Sequence, residues 1–403
     1  MGKTVNGVIW SAIERFSVQI VQFVVSVILA RILTPSDFGL VAIVYVFTNI
    51  FQTINESGFN TALIHKLNRD NTDYSTVFFA NIFIGLVSYL IIFLFSGLIA
   101  DFYQMPELKI VMRLIGIIVF VNSFIVVQNA RFTINIDFKT QAKATLFAAI
   151  VSGIFSIFFA YKYKNVYALA VQSITFSLTT VILMWIYGKW RPSLEFSFSR
   201  FRGLFQYAYK LILSRLISVL YDDLYSLIVG KFFSSSILGY YNRAMSLMQI
   251  SSRNIVGVVQ RVSIPILCQK QSSKDEMSKV LLRFLVSTAA IVYPVLACLM
   301  VLREPLIEFI LTDKWLPSAD ILLYVCPIGF MYLISTFNRN VYNATGRTDL
   351  ALKVEIIKKT IFIAIFLFSL KYGFKAVLLS QILNSFIEML FDTYFVKRQI
   401  GLT

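Results

Sequence analysis

Apolar residues run along this chain in long blocks rather than in alternation, and short polar turns separate one block from the next. Each block is about 18–25 residues long, and as a helix rising 1.5 Å per residue it is long enough to cross roughly 30 Å of hydrocarbon. The pattern predicts twelve spans, at residues 8–32, 38–60, 75–99, 109–128, 143–161, 166–188, 208–231, 237–262, 280–302, 318–338, 351–370 and 375–396. The blocks are continuous, without the period of two that a lipid-facing barrel strand shows, so the expected fold is an all-α polytopic membrane protein. No polar insertion is long enough to form a sizeable soluble domain.

A repeat is superimposed on this pattern. Arg31-Ile-Leu-Thr-Pro35-Ser-Asp37-Phe-Gly39 is echoed two hundred positions later by Lys231-Phe-Phe-Ser-Ser-Ser-Ile-Leu-Gly239. The same offset relates Arg15 to Arg215, and an offset of 209 relates Lys162, Tyr163 and Gln172 to Lys371, Tyr372 and Gln381. These matches predict two six-helix lobes, residues 1–200 and 201–403, joined by the basic segment from Lys189 to Arg202. Six helices per lobe make the repeats parallel, related by an axis along the membrane normal, which is a transporter layout.

Composition agrees. The chain is 58% hydrophobic and only 14% charged, against about 25% charged in globular domains. The net charge of +16 would suggest nucleic acid in a soluble protein. Here the basic residues cluster on alternate turns, for example Lys189, Arg191, Arg200 and Arg202, or Arg347, Lys353, Lys358 and Lys359. That distribution predicts both termini in the cytoplasm and contact with anionic lipid, with no nucleic-acid role. The three cysteines, Cys268, Cys298 and Cys326, form no motif and read as packing residues; the single histidine, His65, lies in a turn. Histidine catalysis, most zinc sites, phosphate loops and dinucleotide motifs have no residues to carry them, so no enzyme activity and no resident cofactor is expected. The first apolar block lacks a cleavage pattern and is expected to remain a membrane helix.

Charges inside spans are costly and mark pathways. Arg15 and Arg215 each lie about seven residues into a helix. Arg243 and Arg253 lie ten residues apart in the eighth span, close to three turns, and so point in similar directions. In the second span Asn49, Gln52, Asn55 and Glu56 form a polar stripe. These features nominate Arg15, Arg215, Arg243, Arg253, Asn49 and Gln52 as anion-binding cavity residues, since guanidinium suits bidentate phosphate contacts. Glu14, Asp222 and Asp223 are candidates for H+ or Na+ coupling. Of the adjacent acids at 222 and 223, one is expected to pair and the other to stay available. Tyr207, Tyr221, Tyr240 and Tyr241 are weaker candidates for stacking on sugar rings.

Three segments carry a family resemblance. Arg31-x-Leu33-x-Pro35-x-Asp37-Phe38-Gly39-x-x-Ala42 resembles the first-loop signature of Wzx-type polysaccharide flippases, the polysaccharide transporter branch of the multidrug/oligosaccharidyl-lipid/polysaccharide exporter superfamily. Leu238-Gly239-Tyr240-Tyr241-Asn242-Arg243-Ala244 resembles the matching signature of the second half, and Asn343-Ala344-Thr345-Gly346-Arg347 a further turn. The resemblance implies a bacterial cytoplasmic-membrane flippase. Its cargo would be an oligosaccharide on undecaprenyl pyrophosphate, moved from the inner to the outer leaflet for O-antigen, capsule or exopolysaccharide assembly. It further implies alternating access through a cationic central cavity, here expected between helices 1, 2, 7 and 8. Many relatives carry fourteen helices against the twelve counted here. A functional monomer is expected, since the two lobes supply their own interface; a polysaccharide polymerase is a conceivable membrane partner. The alternatives are a multidrug exporter of the same superfamily, which should have an acidic or aromatic cavity, and a membrane polysaccharide polymerase, which should carry catalytic acids on an outer loop.

Overall fold

A computed structural model describes residues 2–400 apart from 57, 272 and 346, and the side chains of residues 16–400 apart from 57, 272, 343, 346 and 348–352. The described residues form sixteen α-helices and two short 3-10 turns. Among the described residues seven helical segments are long and apolar enough to cross a membrane, and eight if one bent pair counts as a single span. The chain divides into two compact units, residues 1–239 and 240–403.

The first unit contains α1 (Gly2–Ile32), α2 (Pro35–Glu56), α3 (Phe59–His65), α4 (Asn71–Tyr103), α5 (Pro106–Ser123), α6 (Val126–Ile134), α7 (Phe138–Tyr163), α8 (Tyr167–Tyr187) and α9 (Phe198–Phe232). The sequence places helix starts and stops. Asp70 and Asp73 form a reciprocal capping box at the start of α4, satisfying two amide donors that the first turn leaves open. Asp137 and Ser197 cap α7 and α9 in the simpler way. Gln104 and Lys164 adopt the left-handed conformation that stops α4 and α7, as helix C-termini commonly do.

Packing within the unit follows membrane rules. Along α7 the buried positions are Ala142, Ala144, Ala148, Ala149, Ser152, Gly153, Ser156 and Ala160, while Ile154, Phe155 and Phe158 face outward. Small residues inside and large apolar ones outside let helix backbones approach where lipid solvates the exterior. On this basis α7 packs against α1 and α8, α5 against α4 and α2, and α9 against α2, α3 and α4. The compact unit therefore takes in α9, beyond the repeat junction expected near residue 200.

α10 (Ser235–Ser251) starts at the end of this unit, and its first turn crosses that of α2. A Cβ on Gly39 would overlap the Ser235 carbonyl, and a Cβ on Gly239 would overlap the Pro35 carbonyl. The contact is reciprocal: each glycine meets the backbone four residues before its own repeat counterpart. Ser36 and Ser235 add a hydroxyl pair at 2.6 Å.

The second unit continues with α11 (Arg253–Gln269), α12 (Lys274–Val301), α13 (Arg303–Leu311), α14 (Leu316–Ala344), α15 (Thr348–Ser369) and α16 (Phe374–Ile400). α14 is central, packing on α11, α12 and α16. Each of the twelve predicted spans coincides with a helix, but three are interrupted. The second breaks between α2 and α3, the fourth bends by 45° between α5 and α6, and the eighth breaks at Ser252.

The predicted junction, Lys189 to Arg202, is strapped to the first unit. Trp190 donates its indole N–H to Asn71 at 2.6 Å, Thr72 donates to Glu195 at 2.6 Å, and Ser193 pairs with Ser75 at 3.0 Å. Arg200 bonds Asp70 and lies 3.4 Å from Asp73, whose other partner is Lys66 at 2.6 Å. The Arg200 guanidinium and the Asp73 amide hold the Asp70 carboxyl down at about 2.

Candidate functional site

Five of the nominated side chains converge. Asn49 and Gln52 of α2 face Arg215, Asp222 and Asp223 of α9 across a cavity of about 610 Å³. Helical spacing accounts for both walls. Asn49, Gln52, Thr53 and Glu56 follow i, i+3, i+4, i+7 along α2, and Arg215, Val219 and Asp222 follow i, i+4, i+7 along α9, so each set lies on one face. Asn60 and Thr61 of α3 complete the lining. That break after Glu56 starts a new helix whose polar first turn also reaches the cavity, so the wall runs further than the second span alone predicted.

Both adjacent acids border the cavity. Asp223 accepts a hydrogen bond from Asn49, while Asp222 is exposed. Arg215 is exposed and makes no ion pair among the described residues. The described wall thus carries one guanidinium and three carboxylates, those of Glu56, Asp222 and Asp223. This cavity is not cationic on its own. The cationic cavity expected from the sequence also drew on Arg15, Arg243 and Arg253.

The remaining nominees lie elsewhere. Arg243 is buried in the second unit at 7% exposure, its guanidinium carbon 5.2 Å from the Trp315 ring centroid. Arg253 opens α11, exposed, 5.1 Å from the Tyr332 ring centroid. The two were expected on one face of one continuous helix. A one-residue break at Ser252 interrupts that helix, and the two arginines lie against different rings. Glu14 and Arg15 lie outside the described side chains. Of the tyrosines, Tyr241 is buried with its hydroxyl 2.6 Å from the Gln381 amide, and Tyr207 stacks on His65 at 4.6 Å.

Two features went unnoticed in the sequence. One is a second, open cavity of about 500 Å³ in the first unit, lined by α1, α2 and α5 to α8 and sharing Gln52 and Glu56 with the first. The other is a buried ion pair in the second unit: Lys358 of α15 sits 3.1 Å from both Asp392 oxygens of α16 and 3.2 Å from Glu355. Lys358 was expected among the surface charges that set topology. It is instead 2% exposed, and Asp392 is fully buried. The available signal was its position, seven residues inside the predicted 351–370 span. Among the described residues no group of three His, Cys, Asp or Glu side chains is arranged to hold a metal ion.

Similar proteins sharpen the picture. The teichuronic acid biosynthesis protein TuaB of Bacillus subtilis is 25% identical over 348 residues, 86% of this chain and 72% of TuaB. The lipopolysaccharide biosynthesis protein WzxC of Escherichia coli is 22% identical over 368 residues, 90% of this chain and 74% of WzxC. Among solved structures, the lipid II flippase MurJ in an inward closed conformation superposes with a TM-score of 0.74 at 18% identity, covering 98% of this chain and 89% of MurJ. An inward-facing multidrug resistance transporter of the MATE family superposes with a TM-score of 0.70 at 11% identity, covering 98% of this chain and 99% of that one. Flippase and drug exporter thus share this fold, and both are transporters rather than enzymes. Residues 28–320 match the model of the polysaccharide biosynthesis protein family, and with its repeated apolar helices the chain belongs to that family as a multi-pass membrane protein.

Proposed function

We propose that this protein flips an oligosaccharide carried on undecaprenyl pyrophosphate from the inner to the outer leaflet of the bacterial cytoplasmic membrane, with both termini cytoplasmic. The observation that carries the reading is an exposed guanidinium, Arg215, with no ion pair among the described residues, in a polar cavity within a membrane bundle of the polysaccharide biosynthesis family. Diphosphate and sugar cannot cross hydrocarbon unaided, because their desolvation goes uncompensated there. A wet cavity removes that barrier, and a guanidinium gives the diphosphate charge-assisted hydrogen bonds. Asp222 and Asp223 are the groups for a driving H+ or Na+, the one exposed and the other held by Asn49. Arg253, exposed at the start of α11, and Arg15 are further anion contacts in this reading.

The experiment is a deletion strain in which lipid-linked oligosaccharide is sorted by leaflet accessibility. The reading predicts build-up on the cytoplasmic side, relieved by the wild-type gene and not by Arg215→Ala. Normal outward accessibility without the gene, in a strain with no second flippase, contradicts it.

One observation favours a different cargo. Three carboxylates against one arginine on the cavity wall suit a cation, as in a multidrug exporter. Efflux of ethidium by reconstituted protein, abolished by Asp222→Asn, would support that reading and count against the first.

A further inference from the structure

The second cavity has a chemistry of its own. Beside apolar surface from Ile118 and Ile125, its wall carries amides and hydroxyls, among them Gln22, Asn122, Asn129, Gln172, Ser177 and Thr180. Phe176 and Tyr45 supply ring faces, and the Tyr45 hydroxyl lies 2.6 Å from Ser173 Oγ, which orients that ring. Among the described residues no lysine, arginine or histidine lines it, and the one carboxylate among them, Glu56, stands on the wall shared with the Arg215 cavity.

Polar side chains inside a helical membrane bundle ordinarily close on one another as interhelical hydrogen bonds. Here they border about 500 Å³ of open space, within the range of small-ligand sites. A void rimmed by donors and acceptors takes up polar occupants. An anion is disfavoured, because the only formal charge among the described lining residues is negative. A tightly held cation needs several anionic or carbonyl oxygens converging on one point, and one carboxylate in this volume does not supply them. A neutral ligand rich in hydroxyls fits. Carboxamides both donate and accept, hydroxyls do the same, and flat apolar faces of a pyranose match aromatic rings.

We infer that this chamber is a saccharide subsite. It receives the uncharged sugars next to the diphosphate, while Arg215 on the far side of the Gln52–Glu56 wall meets the diphosphate itself. The inference rests on the flippase reading above, and deepens it by assigning the two chemically unlike parts of one cargo to two adjoining cavities. Glu56 at the junction accepts sugar hydroxyls and repels the diphosphate from the chamber.

The test uses full-length protein in nanodiscs and two probes: undecaprenyl pyrophosphate, and the undecaprenyl-pyrophosphate-linked oligosaccharide extracted from the producing strain. Wild-type protein is expected to bind the glycosylated lipid at least tenfold more tightly than the bare one. Gln172→Leu combined with Ser177→Val is expected to reduce that preference to within about twofold, at an unchanged melting temperature. Arg215→Ala should weaken both lipids and keep the preference. Thr180→Val and Gln172→Asn, milder changes on the same wall, cover the case in which the double variant does not fold; the first should reduce the preference and the second should retain most of it. A preference that survives every chamber variant overturns the subsite, and so does an equal loss for both lipids, which marks a structural role. Equal binding of both lipids by wild type also overturns the subsite and leaves the flippase reading standing. Failure of wild type to bind either lipid removes the flippase reading itself.

Discussion

Among the described residues Arg215 combines exposure, a cavity wall and no ion pair, whereas Arg243 is buried and Arg253 lies over the Tyr332 ring. Charge-assisted hydrogen bonds are worth about 1.5–3 kcal/mol, so Arg215→Ala should slow translocation by at least about tenfold with membrane insertion intact. Arg215→Lys should recover only part of the rate, because an ammonium cannot make the forked contact. Lys358 and Asp392 pose the opposite case, two charges that satisfy each other. Removing one partner strands a buried charge and should cost about 3–5 kcal/mol, whereas replacing both with leucine should be close to neutral. Melting temperatures of the purified Lys358→Leu and Lys358→Leu/Asp392→Leu variants check this, and an equal fall in both would contradict it. The Asn49–Gln52 stripe and the Arg215–Asp222 face were legible in the sequence because a period of 3.6 fixes which residues share a face. The Lys358–Asp392 pair was not, since its partners are 34 positions apart and no local pattern joins them.

At the scale of elements, the twelve helical stretches were legible because bilayer thickness imposes their length. Their interruptions were not. Ser252 ends α10 without a proline or glycine at the break, so no local breaker marked it. The reciprocal crossing of α2 and α10 was foreshadowed only as two matched glycines. Because a side chain at either glycine would meet backbone, which cannot swing aside, Gly39→Leu and Gly239→Leu should each reduce the yield of folded protein several-fold. Size-exclusion profiles of the solubilised variants measure this, and wild-type profiles for both would contradict the crossing. The strap over the first unit carries a pH prediction. Arg200 lowers the Asp70 carboxyl to about 2, so the pair is complete above the ordinary carboxylate range near ~4 and is lost as pH falls towards 2. Asp70→Asn keeps a capping side chain but loses the charge. Pepsin cleavage beside the exposed Leu194 and Phe196 should therefore be a few-fold faster in Asp70→Asn than in wild type at pH 4, and the two should converge near pH 2. Equal rates at pH 4 would contradict the pairing.

For the molecule as a whole, family and fold narrow the cargo without choosing it, since a lipid flippase and a drug exporter share the architecture. Choice comes from the cavities. The first offers a guanidinium beside titratable acids, and the second offers amides and hydroxyls with no basic group among its described residues. Together they match an amphiphile with a diphosphate and neutral sugars better than a hydrophobic cation. The most direct measurement is flipping by purified protein in proteoliposomes made with undecaprenyl-pyrophosphate-linked oligosaccharide on one leaflet, read by accessibility of the sugar on the other. The account predicts transfer that requires the protein, slows at least about tenfold with Arg215→Ala and depends on an imposed H+ or Na+ gradient. Transfer no faster than in protein-free liposomes, with ethidium transported by the same preparation, would contradict it.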